Sequence, residues 1–243
     1  MSQPVAIVTG SSRGIGAAIV RRLAGDGFAV VINYAGRRDA AEQVVAEVDR
    51  AGGRAVAVQA DVSQPANVER LFDEAERAFG QVDVLVNNAG LLTLSPLAEF
   101  SDDDFDRLLS VNVKGVFNGL REAAGRLSDG GRIINFSTSV VGANLPGYSI
   151  YAATKAAVET LTRILAKELG PRKINVNAVA PGPIATELFF EGKSEELVDR
   201  ITSMIPLGRI GEPDEVAATV AFLAGPDGRW VNGQVLRVNG GMV

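Results

Sequence analysis

Histidine and cysteine are both absent from this chain of 243 residues. Without cysteine there is no disulfide, no thiolate nucleophile and no thiolate-held metal. Without histidine there is no Ser-His-Asp hydrolysis, no histidine-held zinc and no imidazole base. Any acid or base must be Tyr, Lys, Asp, Glu or a relayed water. No uncharged run reaches the roughly 18 residues of a membrane span. The opening Met-Ser-Gln-Pro lacks the basic start and apolar stretch of a signal peptide. The formal charge is −5 and the pI is near 5.0, with no Lys/Arg cluster suited to nucleic acid or an anionic membrane. No group of side chains resembles a metal site. The zero cysteine count fits a cytoplasmic protein.

What is present is ample material for a core. Apolar residues make up 47% of the chain, so a packed globule is expected, and its size suits one α/β domain over 1–243. Short β-rich runs at 5–9, 28–33, 54–60, 82–87, 132–137, 174–180 and 234–238 alternate with helical stretches. These lie near 15–25, 39–51, 65–79, 102–127, 151–169 and 213–223. Several strand runs are almost unbroken Val, Ile, Leu and Ala, as strands buried on both faces require. The alternation predicts a doubly wound, seven-stranded parallel sheet with helices on both faces. Ligands in such sheets bind beyond the carboxyl ends of the strands. The irregular stretch from Pro181 to Pro206 is too long for an ordinary connection. It reads as a substrate lid, with the substrate-loop region about 183–206, or else as a surface insertion with short helices.

Two motifs carry chemistry. Tyr151 and Lys155 stand four apart in Tyr-Ala-Ala-Thr-Lys and so share a helix face. An ammonium beside a phenol favours the phenolate, which predicts a Tyr151 pKa below the usual value of about 10. A side chain exchanging protons near neutrality suits carbonyl reduction or alcohol oxidation. The second motif is Thr9-Gly10-Ser11-Ser12-Arg13-Gly14-Ile15-Gly16, which follows the first strand and opens a helix. Glycine permits a tight turn and close approach of a pyrophosphate, and the helix N-terminus faces the negative charge. Gly10, Ser12, Arg13, Gly14, Ile15 and Gly16 are therefore candidate cofactor contacts.

The end of the second strand selects between dinucleotides. An NAD site usually has an acid there for the ribose 2′-hydroxyl. This chain instead reads Asn33-Tyr34-Ala35-Gly36-Arg37-Arg38, in which Asn33, Tyr34 and Ala35 are candidate cofactor contacts. Arginine forks onto a 2′-phosphate that a carboxylate would repel, so NADP(H) is preferred, with Arg37, Arg38 and Arg13 as candidates. Asp61 and Val62 end the third strand, and Asn88, Ala89 and Gly90 end the fourth. Asp61 suits an adenine amino group, a helix N-terminus before Pro65, or both.

Taken in order, these motifs resemble the short-chain dehydrogenase/reductase family of the compact Rossmann type. The resemblance spans the chain through Thr-Gly-x-x-x-Gly-Ile-Gly at 9–16, Asp61, Asn-Asn-Ala-Gly at 87–90 and Asn112. It continues through Ser139, Tyr-x-x-x-Lys at 151–155, Pro-Gly at 181–182 and Asn-Gly-Gln-Val-Leu-Arg-Val-Asn-Gly-Gly at 232–241. The 3-oxoacyl-acyl-carrier-protein reductase-like branch is the nearest in appearance. The resemblance implies that Tyr151 is the acid or base, and that Lys155 lowers its pKa and bonds the nicotinamide ribose. It implies that Ser139, chosen from Ser137, Thr138 and Ser139, bonds the substrate oxygen, and that Asn112 holds a water leading to Lys155. Pro181, Gly182 and Ile184 would pass the nicotinamide, with Thr186 near the phosphates. Asn144, Leu145, Tyr148, Leu188, Phe189 and Phe190 would wall in a moderately apolar substrate.

The implied activity is NADPH-dependent reduction of a ketone or 3-oxoacyl carbonyl. Alternatives are dehydrogenation of a sugar, steroid or other alcohol, and a non-catalytic NADP-binding sensor. An acyl carrier would need basic residues at the entrance, for which Arg126 and Arg172 are candidates. A homotetramer is implied, with the helices at 102–127 and 151–169 packing across subunits.

Overall fold

The structure, a computed structural model, describes residues 3–243. Seven parallel strands form one sheet: β1 (Val5–Val8), β2 (Ala29–Tyr34), β3 (Arg54–Gln59), β4 (Val84–Asn87), β5 (Arg132–Phe136), β6 (Asn175–Pro181) and β7 (Val235–Val238). Their order across the sheet is β3-β2-β1-β4-β5-β6-β7. This is the Rossmann-type sheet that the strand–helix alternation predicts, with strand ends within two residues of expectation. β1, β2 and β4 are buried throughout, which explains their unbroken Val/Ile/Leu runs.

Each face of the sheet has its own apolar layer. On one face, Ile19 and Leu23 of α1 (Gly14–Gly25) pack with residues of α2 (Arg38–Arg50) and of a helix at Pro213–Ala224. On the other, α3 (Pro65–Phe79) brings Leu71 and Phe72 against residues of helices Val116–Arg126 and Ser149–Glu168. The topological switch falls between β1 and β4, where crossovers leave in opposite directions and open a crevice at the strand ends.

The stretch predicted as one helix over 102–127 is three segments. α4 (Asp102–Leu109) is capped by Ser101, whose hydroxyl accepts from the Asp104 amide at 3.1 Å. A π-helical turn over Ser110–Gly115 follows, and then α5 (Val116–Arg126). Such turns hold an extra residue in a helix, often at functional sites. This one drives Asn112 fully inside. α6 (Val140–Ala143) precedes α7 (Ser149–Glu168), and the irregular stretch contains α8 (Glu187–Phe190) and α9 (Glu195–Ser203) before α10 (Pro213–Ala224). Among the described residues, no helix is long and apolar enough to cross a membrane.

Candidate active site

The glycine-rich turn is locked onto the end of β4. Gly10 has φ +62°, and a Cβ there would lie 2.8 Å from the Ala89 Cα. A Cβ on Gly16 would lie 2.6 Å from the Gly10 carbonyl oxygen and 2.7 Å from the Asn88 amide nitrogen. Asn88 donates from its side chain to the carbonyls of Thr9 (2.8 Å) and Gly10 (3.0 Å). Arg13 provides no side-chain cap to α1, so the first-turn N–H groups remain suited to an anion. Thr186 closes over the turn, its Cγ2 being 3.5 Å from where a Gly14 Cβ would stand. The turn is thus a cradle fitted to a pyrophosphate.

Asn33 belongs to the scaffold of this cradle. Its Oδ1 accepts from the Gly10 amide at 3.1 Å, and its Nδ2 donates to the Ala60 carbonyl at 2.9 Å. The buried side chain lines the cavity and staples the ends of β1, β2 and β3 together. Arg13 and Arg37 do converge, on one carboxylate oxygen of Glu187 at 3.1 and 3.3 Å. Arg38 does not join them; it begins α2 and pairs with Glu42 one turn on. Asp61 accepts from the Ser63 amide at 2.9 Å, and α3 starts from Gln64, so Asp61 shapes the approach to the helix without capping it.

Tyr151 and Lys155 project from α7 into a cavity of about 950 Å³ that also takes in the glycine turn, Arg13 and Arg37. The Lys155 Nζ donates to the Phe136 carbonyl at 2.9 Å and lies 6.0 Å from the centre of the Tyr151 ring. The pKa order differs from the sequence expectation. Burial pushes the Tyr151 phenol up to about 12, although hydrogen bonding with the Thr138 hydroxyl pulls it down. Burial lowers Lys155 to about 8. In so desolvated a corner both charged forms are penalised, and the ammonium is bound to a carbonyl. Tyr151 is therefore a protonated acid across the neutral range, and not a phenol near its ionisation point.

The matching family model, described as enoyl-(acyl carrier protein) reductase, covers residues 10–243. An NADPH-dependent aldehyde reductase-like protein of Arabidopsis thaliana is 51% identical over 98% of this chain and 94% of its own length. This chain is a short-chain dehydrogenase/reductase. Among solved structures, a Serratia marcescens short-chain dehydrogenase/reductase superposes with a TM-score of 0.95 at 42% identity, covering 99% of this chain and 98% of the other. A Burkholderia cenocepacia short chain dehydrogenase solved in complex with NADP has a TM-score of 0.93 at 41% identity, covering 99% and 97%. The Arabidopsis relative is chloroplastic by name, so these comparisons do not carry the cytoplasmic expectation.

Two neighbouring hydroxyls, Thr138 and Ser139, line the cavity beside Tyr151. Ser139 is 2% exposed; its Oγ donates to the Ala180 carbonyl and accepts from the Asn239 amide, both at 3.0 Å. The Thr138 hydroxyl is the one whose hydrogen bonding pulls the Tyr151 pKa down. Ser137 is held by Glu159 at 2.7 Å, in keeping with a buried strand end.

Asn112 lies behind the cavity wall. Its Oδ1 accepts from the Leu91 amide at 2.8 Å, and its Nδ2 donates to the Leu91 carbonyl at 2.9 Å and the Thr154 hydroxyl at 3.2 Å. The side chain therefore ties the loop after β4 to α7. Gly90 completes this corner, because a Cβ there would be 3.3 Å from both Asn112 Oδ1 and Lys155 Nζ.

Asn144 is also outside the cavity: it is exposed, left-handed at φ 52°, and ends α6. Leu145, Tyr148, Leu188 and Phe189 line the cavity as expected, as do Pro181, Gly182 and Ile184, while Phe190 does not. Met204 and Met242 add to the wall. Nothing in the local pattern of 204 or 242 marks them, since only the fold brings α9 and the last residues to the crevice.

Proposed function

We propose that the protein is an NADPH-dependent reductase that converts an aldehyde or ketone of moderate hydrophobicity to an alcohol. One observation carries the reading: a single cavity joins the glycine turn, Arg13 and Arg37 at one end to Tyr151, Thr138 and Lys155 at the other. Arg13 and Arg37 take the 2′-phosphate, and the first turn of α1 takes the pyrophosphate. Ile184, beside Pro181 and Gly182, borders the nicotinamide. The names of the Arabidopsis and Burkholderia relatives, with NADPH in one and NADP in the other, support this cofactor.

When bound, NADPH would supply a hydride to the carbonyl carbon. Tyr151 donates a hydrogen bond to the carbonyl oxygen and then its proton, so that hydride and proton together give the alcohol. Thr138 donates the second hydrogen bond to that oxygen while charge develops on it. Lys155 bonds the ribose and returns a proton toward Tyr151. Asn112 and Thr154 hold this end of α7 in place. A phenol kept protonated is in the form that reduction uses. An acyl-carrier thioester is disfavoured, because Arg126 and Arg172 precede β5 and β6 and so stand at the amino ends of the strands, away from the crevice. Arg126 pairs with Asp73 and Glu76 at 2.7 Å, and Arg172 with Asp129 at 2.8 Å. A non-catalytic sensor would have no use for the Tyr151, Lys155 and Thr138 arrangement. The assembly we propose is a homotetramer joined through the outer faces of α4, α5 and α7.

The test is a panel of aldehydes, ketones and carrier-bound 3-oxoacyl thioesters, followed by loss of NADPH absorbance. Turnover of free aldehydes or ketones is expected. Tyr151→Phe should lower it by about 10³-fold or more while NADPH affinity stays within about twofold. Turnover confined to carrier thioesters, or retained in Tyr151→Phe, would overturn the reading.

A further inference from the structure

Glu187 is the first residue of α8, where the irregular 183–206 segment begins its first helix. Its Oε2 lies 3.1 Å from Arg13 Nη1 and 3.3 Å from Arg37 Nη1. The two arginines come from the glycine turn and from the residues after β2. Among the described residues, Glu187 is the sole ion-pair partner of either. All three line the cavity. An oxygen shared by two guanidinium groups occupies the position of a phosphate oxygen, because arginine binds both by the same donors.

We propose that Glu187 stands in for the 2′-phosphate of the cofactor, being displaced by NADP(H) and left in place by NAD(H). The inference rests on the reading of Arg13 and Arg37 as 2′-phosphate ligands. The bridge is suited to displacement. The Glu187 side chain is 72% exposed, and exposed ion pairs are weak. A phosphate carrying more charge and more acceptor oxygens competes well for the same guanidinium groups. Glu187 also sets the start of α8, whose next residues, Leu188 and Phe189, form part of the apolar wall. Glu187 becomes a specificity-determining residue that opposes NADPH binding modestly. A clasp that held the loop over any dinucleotide would do the opposite, since removing it would weaken both cofactors.

The experiment measures dissociation constants for NADPH and NADH with the full chain at low salt, for wild type, Glu187→Gln and Glu187→Asp. Glutamine removes the charge. Aspartate keeps a negative charge at the helix start but is one methylene too short for the bridge, which separates loss of the bridge from loss of a favourable helix-terminal charge. Both variants should bind NADPH roughly three- to tenfold more tightly, with NADH changed by less than about twofold. The gain should shrink as salt rises. It should shrink likewise when Arg37→Ala is already present. Weakening of both cofactors, or equal change in both, would overturn the stand-in. Equal affinity of wild type for NADPH and NADH would instead overturn the arginine assignment, and the stand-in with it.

Discussion

Thr138 and Ser139 are adjacent hydroxyls with different uses. The Ser139 oxygen is spent on Ala180 and Asn239 inside the protein, whereas the Thr138 oxygen meets the Tyr151 phenol. A group already donating to a buried carbonyl cannot donate to a substrate without leaving that carbonyl unpaired. Thr138→Val, which keeps the shape and removes the donor, should lower kcat by about 10²-fold, and Thr138→Ser should recover most of it. Ser139→Ala should leave kcat within about tenfold and cost about 1 kcal/mol of stability, read from urea unfolding. The reverse ranking would return the role to Ser139. The Tyr151–Lys155 pair was legible because spacing four on a helix is a geometric statement. The choice among three consecutive hydroxyls rests on more than spacing, because it depends on how the backbone turns from β5 into α6. The pKa direction of Tyr151 was not legible. It is set by desolvation, and sequence does not report how much water reaches a phenol.

At the scale of elements, α1 shows why glycine is needed at one end and not the other. A Cβ on Gly16 would collide with the Gly10 carbonyl and the Asn88 amide, whereas nothing lies within 4 Å of one on Gly25. Gly16→Ala is expected to cost about 1–3 kcal/mol and to weaken NADPH binding, since the backbone that must shift is the cradle itself. Gly25→Ala is expected to be neutral or stabilising by up to about 1 kcal/mol. Urea unfolding with cofactor titration checks both, and an unchanged Gly16→Ala would show that the turn has slack. The same contrast explains which elements the sequence revealed. Continuous Val/Ile runs identify strands because burial on both faces demands them. The π-helical turn at Ser110–Gly115 left no such mark. It depends on Asn112 reaching Leu91 and Thr154, contacts 21 and 42 residues away. α6 and α8 are four residues each, too short for a helical period to show.

The whole molecule exposes more surface than its mass warrants. Its accessible area is 11589 Å² for 25.5 kDa, against roughly 10,400 Å² for a typical monomer of that mass. Large apolar side chains stand out of the helices that cover one face: Phe105 of α4 is 40% exposed, Phe117 of α5 47% and Ile164 of α7 52%. Scattered apolar residues are ordinary on a monomer. Here they lie on the helices proposed to pair, and an area excess accompanies them. Burying Phe117 and its counterpart across a twofold axis would remove apolar area at about 25 cal/mol per Å². The Arg121 guanidinium, 5.3 Å from the Phe117 ring, can stay over the ring and remain at the rim. Light scattering after size exclusion should therefore give four times the chain mass of 25.5 kDa. Phe117→Asp places a charge in the proposed contact and should shift the population to smaller species without unfolding the chain, as its circular dichroism would show. A wild-type mass of one chain would refute the assembly. A tetramer untouched by Phe117→Asp would place its interfaces elsewhere, with the fully exposed Trp230, 97% accessible, as the next surface to charge.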